Sequence, residues 1–298
     1  MTAVVEPAHA AEWSGEDVSV SELEQRLAGL EHDHGDETPD LRTSVMTHLA
    51  WVTPEWEEAA LAALAGLAER HPSRTIVLFP DPGAAADRID ATLRMFCFCL
   101  PETSVHICSE VVELRLRGAR AAMPASVVSP LLIADLPVFV RWRGRPAFGE
   151  AGFEGMVDLV DRLVIDSSEW PDLPDAYRPL AGLFDRTACS DIAWSRTEHW
   201  RAALAGLWPG IAELGEVRVK GPLADALLLA GWLRSRLRRE VELVHEAAAD
   251  RIEAIDVDGE AVAPPRAGTQ GASDLLSAEL DRFEREPVYE AAVRAAAS

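Results

Sequence analysis

The sequence predicts an α/β protein: two mixed α/β domains, an acidic N-terminal leader and a C-terminal helical segment. Three observations lead there. From residue 43 onward, β-branched apolar runs such as "TIVLF" alternate with amphipathic helical stretches. The proline-rich "SEWPDLPDAYRPLAGL" then interrupts the pattern, and strand–helix–strand periodicity resumes beyond it. At 298 residues and 48% hydrophobic side chains, the chain is long and apolar enough for two cores. The expected division is a leader over 1–40, an N-terminal domain over 41–168 and a C-terminal domain over 169–298.

The leader holds eleven acidic residues and one base, Arg26. Within it "SELEQRLAGL" reads as a short helix, with Ser21 and Glu24 spaced as a capping box. The following "EHDHGDETPD", which contains His32 and His34, reads as a solvated acidic linker rather than a metal site. A segment so acidic and so poor in apolar residues is expected to join no core, and its deletion to leave a folded protein.

In the N-terminal domain "TSVMTHLAWV" alternates as a strand does, and "TPEWEEAALAALAGLAER" is a helix with Thr53 as N-cap and Pro54 in its first position. "TIVLF", stopped by "PDPG", is a buried strand. "IDATLRMFCFCL" and "VHICSEVVELRLRG" form an antiparallel hairpin around "PETS". A short helix, "PASVVSPLLIA", is kinked at Pro130 and leads to the strand "PVFVRW"; "FEGMVDLVD" and "RLVIDS" repeat helix and strand. In the second domain "SDIAWSRTEHWR" reads as a helix capped by Ser190, with Ala193, Trp200, Leu204 and Leu207 at apolar spacing. The strand "EVRVKG", a long helix begun by Pro222, and strands in "EVELVHEA" and on either side of Asp258-Gly259 follow. "APPRAGTQGA" is a connector, and Pro287 divides the terminal helix. The order strand, apolar helix, strand after both "EVVELRLRG" and "GEVRVKG" hints that the halves are related.

A formal net charge of −22 repels polyphosphates at long range, so nucleic acid is not an expected partner. No apolar run approaches the roughly 20 residues of a membrane span, and the first residues lack a basic, then apolar, targeting pattern. A cytoplasmic protein is expected. Four cysteines (Cys97, Cys99, Cys108, Cys189) make no disulfide framework, which suits a reducing compartment. The motifs G-x-G-x-x-G, G-x-x-x-x-G-K-[ST] and G-x-S-x-G are all missing, so no catalytic residue is assigned and no cofactor is expected.

Three groups of residues remain as candidates. Cys97, Cys99, His106 and Cys108 nominally supply four zinc ligands, but i and i+2 side chains on a flat strand stand roughly 7 Å apart. That is wide for a tetrahedral ion with bonds of about 2.0–2.3 Å. Arg141, Trp142 and Arg143 end a strand, where α/β folds bind ligands, and Arg74 sits in a helix–strand turn; these could grip an anion or a partner's carboxylate. The cluster Asp191, Trp194, Arg196, Trp200 and Arg201 occupies more than one helix face, so some of it must meet another surface, and tryptophan and arginine are the residues of interface anchors.

The ordered series "RTSVMTHLAWV", "RHPSRTIVLF", "VVSPLLIADLPVFVRWRG", "SDIAWSRTEHWR", "LLLAGWLRSRL" and "ELDRFEREPVYEAAV" resembles the OpcA family, glucose-6-phosphate dehydrogenase assembly proteins of actinobacteria and cyanobacteria. The likeness runs over about residues 41–295 and departs at 260–272, where more strand would be expected. It implies a non-catalytic, allosteric activator subunit whose partner is the dehydrogenase opening the oxidative pentose phosphate pathway. Two other readings stay open: a sugar-phosphate sensor using Arg74, Arg141 and Arg143, and an enzyme of unrecognised mechanism. Homo-oligomerisation is also left open.

Overall fold

The computed structural model describes residues 9–29, 40, 41, 44–65, 67, 70–99, 106–248, 250–264 and 271–297. The linker with His32 and His34, the "PETS" turn and the middle of the connector, 265–270, lie outside them. The chain divides into two units, Met1–Leu163 and Val164–Ser298.

The first unit comprises β1 (His9–Gly15), α1 (Val20–Gly29), β2 (Asp40–Leu41), β3 (Met46–Trp51), α2 (Glu57–Ala65), β4 (Ser73–Asp81), β5 (Ile89–Cys99), β6 (His106–Arg117), α3 (Ala119–Ala122), α4 (Pro124–Val128), β7 (Val138–Trp142) and α5 (Ala151–Val157). β8 (Arg162–Ile165) carries the chain into the second unit. Within the first unit the strand order is β1-β5-β6-β4-β3-β7. Its centre, β6, β4, β3 and β7, is parallel, and β5 and β1 add antiparallel strands at one side. β3 and β7 are buried along almost their whole length, which is why "MTHLAW" and "VFVRW" read as near-continuous apolar runs. The hairpin of β5 and β6 forms as expected, pairing Ile89 with Leu116 through to Cys99 with His106.

The leader departs from expectation. β1 pairs with β5 from His9↔Cys97 to Gly15↔Ala91, and Val18, Leu23 and Leu27 are buried. The cap of α1 is also shifted by two residues: Ser19 Oγ accepts from the Glu22 amide at 3.1 Å, so the S-x-x-E frame in use is Ser19–Glu22, not Ser21–Glu24. Acidic composition hid a short alternating strand, "AEWSG", whose inward positions are small or aromatic.

The second unit contains α6 (Tyr177–Ala181), β9 (Ala188–Asp191), α7 (Ile192–Arg196), α8 (Glu198–Ala205), β10 (Glu216–Gly221), α9 (Leu223–Leu237), β11 (Glu242–Ala247), β12 (Ala254–Val257), β13 (Glu260–Ala261), α10 (Ala272–Leu280) and α11 (Pro287–Ala296). Its own sheet has the order β11-β10-β12-β13. β10 and β11 are parallel because α9 carries the chain back between them, whereas the hairpin turn at Asp258 and Gly259, both at positive φ, makes β12 and β13 antiparallel. Val217 and Val219 of β10 meet Ala226, Leu229, Ala230 and Leu233 of α9 in one core. α9 also takes α11 closely: a Cβ on Gly231 would come within 2.2 Å of the Ala292 carbonyl, so only glycine fits there. Pro287 opens α11 and separates it from α10, as its missing N–H dictates.

The helix expected over 190–201 is interrupted. Ser190 lies in β9, and the cap is Asp191, whose Oδ1 accepts from the Ala193 amide at 2.9 Å. Thr197 then separates α7 from α8.

Candidate functional site

In the first unit the expected strand-end contacts turn inward. Trp142 is 3% exposed, stacked on Trp51 at 4.6 Å and meeting the edge of Phe153 at 4.9 Å. Arg141 is buried and donates to the Trp142 carbonyl. Arg143 lies over Trp56 at 4.5 Å. Arg74 is held by Glu110 at 2.6 Å and by the Leu131 carbonyl at 2.9 Å. Trp142 is therefore core and presents no face to a partner, and Arg74, Arg141 and Arg143 each serve a separate internal contact. Trp142→Ala is expected to cost about 3–5 kcal/mol through the cavity left between Trp51 and Phe153. A denaturant titration matching wild type would show that the ring bears no such load.

The carboxyl ends of β3, β4 and β6 border a cleft of about 580 Å³, lined by Trp51, Thr53, Phe79, Asp81, Arg115 and Arg117 together with Glu55 and Glu57. This is where an α/β sheet offers a ligand site. Its cations are engaged: Arg115 donates to Glu57 at 2.7 Å and covers Phe79, and Arg117 pairs with Asp90 at 3.4 Å. With carboxylates in excess of guanidinium groups, the cleft is poorly suited to a phosphate.

Of the nominal zinc set, the side chains of Cys97, Cys99 and His106 lie outside the described residues. Cys108 is disulfide-bonded, which removes its thiolate from any such set and corrects the expectation of reduced cysteines there; Cys189 is free and buried. Among the described residues no group of three or more His, Cys, Asp or Glu is placed to hold a metal ion. Nor is any described helix long and apolar enough to cross a membrane.

The cluster read from "SDIAWSRTEHWR" does assemble, all within the second unit. The Arg196 guanidinium forks onto two carboxylates. It donates to both Asp166 oxygens at 2.9 and 3.1 Å, and to both Asp225 oxygens at 2.9 and 3.3 Å. It thereby joins α7 to the turn after β8 and to the first turn of α9. Burial by itself would lower the Arg196 pKa, but Asp166 and Asp225 raise it well above its usual value. Asp191, fully buried, accepts from the amides of Ser167 and Ala193. Trp194, 1% exposed, donates to Glu286 at 2.6 Å, and Ser195 donates to Glu279. Arg201 stacks 3.4 Å over Trp194 and donates to its carbonyl and to Thr197; burial lowers its pKa to about 10, so it stays charged at neutral pH. Trp200 belongs to the α9 core. Asp225, Glu279 and Glu286 complete the cluster from positions far along the chain, and no motif marks them in the sequence.

Burial, aided by Asp166, pushes the Asp191 carboxyl up to about 7, and burial pushes Asp225 up to about 6 against the pull of Arg196. Both carboxyls thus hold protons more tightly in the folded chain than in the unfolded one, where they titrate near 3.8. Their stabilisation is complete below about pH 4 and is lost as pH rises through about 6 and 7. Asp191→Asn keeps an oxygen facing the two amides and carries no charge, so it is expected to flatten stability against pH across that window. Equal slopes for variant and wild type in urea melts between pH 4 and 8 would remove Asp191 as a source.

Comparison with known proteins gives matches in both units. Residues 65–181 match the N-terminal domain, and residues 187–264 the C-terminal domain, of the glucose-6-phosphate dehydrogenase subunit family of OpcA. A putative OxPP cycle protein OpcA of Synechococcus elongatus is 28% identical over 232 residues, covering 72% of this chain and 47% of the relative. The like-named protein of Synechocystis sp. is 26% identical over 200 residues, covering 62% and 41%. That of Nostoc punctiforme is 27% identical over 182 residues, covering 57% and 39%. The chain spans less than half the length of these curated relatives.

Proposed function

Since this chain belongs to the OpcA family of glucose-6-phosphate dehydrogenase assembly proteins, we propose that it is a non-catalytic subunit that promotes the assembly and activity of glucose-6-phosphate dehydrogenase by direct contact. The observation that carries this is the pair of dehydrogenase-subunit domain matches, in order along one chain. Physical chemistry supports a contact role over a substrate-binding one. A chain of net charge −22 repels a sugar phosphate and a dinucleotide alike. The arginines that would have bound such anions are engaged in internal pairs, and a framework locked in that way is suited to presenting a surface. On the same reading the protein works in the cytoplasm, at the entry to the oxidative pentose phosphate pathway.

The test is NADP reduction with glucose 6-phosphate by the separately purified dehydrogenase, titrated with this chain. A saturable rise in rate, with the two proteins co-eluting and no reduction by this chain alone, is the expected result. An unchanged rate without co-elution overturns the proposal, as does turnover by a preparation shown by mass spectrometry to contain no dehydrogenase.

A further inference from the structure

The second unit has an apolar feature that its own fold leaves uncovered. Where α8 ends, Leu207 is 42% and Trp208 66% exposed, although most of the nearby tryptophans and leucines are buried. Trp208 borders a groove of about 290 Å³ between the end of α8 and the last turns of α9, whose other walls include Leu204, Trp232, Leu233 and Leu237. The floor is rigid, because Leu204 and Leu233 belong to the packed core and Trp232 and Leu237 lean against it.

One side of this groove is basic. Arg236 lines it, and Arg234, Arg236, Arg238 and Arg239 fall within six residues, the densest run of positive charge in a chain of net charge −22. Arg234 is spent on the Val241 carbonyl and Arg239 on Glu213, but Arg236 and Arg238 are exposed and hold no partner among the described residues. Cations at a helix C-terminus suit its macrodipole, which accounts for basic residues there but not for an exposed indole beside them.

We infer that this groove is the docking site for the dehydrogenase, which inserts an aromatic or leucine side chain flanked by carboxylates. The inference rests on the proposed function and specifies the surface it uses. Charge complementarity selects the occupant: an apolar floor bordered by the unpaired Arg236 guanidinium, with Arg238 two residues on in the chain, favours an apolar anchor among acids, and the rest of this acidic chain repels other acidic surfaces. The indole supplies the contact energy, and the arginines set the encounter rate and its salt dependence.

The experiment titrates the purified dehydrogenase with the full chain and with three variants, measuring affinity by calorimetry at two salt concentrations and confirming the fold by melting. Trp208→Ala is expected to weaken binding about thirtyfold or more, as for a desolvated tryptophan anchor. Arg236→Glu is expected to weaken it and to reduce its salt dependence. Phe283→Ala, at a 59% exposed site on another segment of the same unit, is expected to leave it unchanged. Wild-type affinity in Trp208→Ala and Arg236→Glu, with wild type itself binding, overturns the groove and leaves the assembly function standing. No binding by wild type overturns both. If Trp208→Ala instead changes only the sedimentation of this chain alone, the groove is a self-interface and the inference is wrong.

Discussion

Removing residues 1–29 is expected to destabilise the first unit severely and to make it aggregate. β1 covers β5 in the register His9↔Cys97 to Gly15↔Ala91, so its loss leaves residues 91–97 of that strand as an unpaired edge. The same deletion removes the buried side chains of Val18, Leu23 and Leu27. Their burial stabilises by roughly 1.5–3 kcal/mol each, before the entropy of ordering the segment is set against it. A net loss of a few kcal/mol would lower the melting midpoint by on the order of 10 °C in a unit of this size. Differential scanning calorimetry with light scattering on the truncated chain tests this. A cooperative transition at the wild-type temperature would mean that the strand and helix are appended to the unit without stabilising it.

Arg196→Met is expected to cost about 3–5 kcal/mol, because it leaves Asp166 and Asp225 buried without their cation. Methionine roughly fills the stem's volume, so the loss reports charge and hydrogen bonding rather than a cavity. Lysine should rescue little, since one ammonium cannot reproduce the fork onto four carboxylate oxygens. Adding Asp225→Asn to Arg196→Met should recover part of the loss by removing the buried carboxyl that has lost its partner, giving a clearly non-additive cycle. Chemical denaturation of the two single variants and the double variant at pH 7 measures it, and simple additivity would show that the two side chains are not energetically coupled.

Much of the architecture was legible because it is local. The strands "TIVLF" and "EVRVKG", the hairpin around residues 101–105, the long helix after Pro222 and the divided C-terminal helix follow from side-chain periodicity, proline and turn chemistry, which act over a few residues. The same locality explains the misreadings. Ser19 and Ser21 both begin an S-x-x-E frame, and only the helix start chooses between them. In "SDIAWSRTEHWR" the apolar spacing fits one long helix, but Asp191 is held in extended backbone by the Ser167 and Ala193 amides, which delays the helix start.

The α/β class, the periodic elements, the acidic charge and the family resemblance can all be read from the residues in order. Which strong contact-makers face inward depends on the folded arrangement. Trp142 and Trp208 are the same residue type in similar strand-end or helix-end settings, yet one is stacked on Trp51 with Phe153 edge-on to it and the other stands 66% exposed. Likewise Arg196 is enclosed by Asp166 and Asp225, thirty and twenty-nine residues away, while the Arg236 guanidinium has no hydrogen-bond or ion-pair partner among the described residues. The physical reason is that burial and charge pairing depend on residues distant in the chain, and a periodic pattern records only that a side chain could be buried, not which neighbour arrives to bury it.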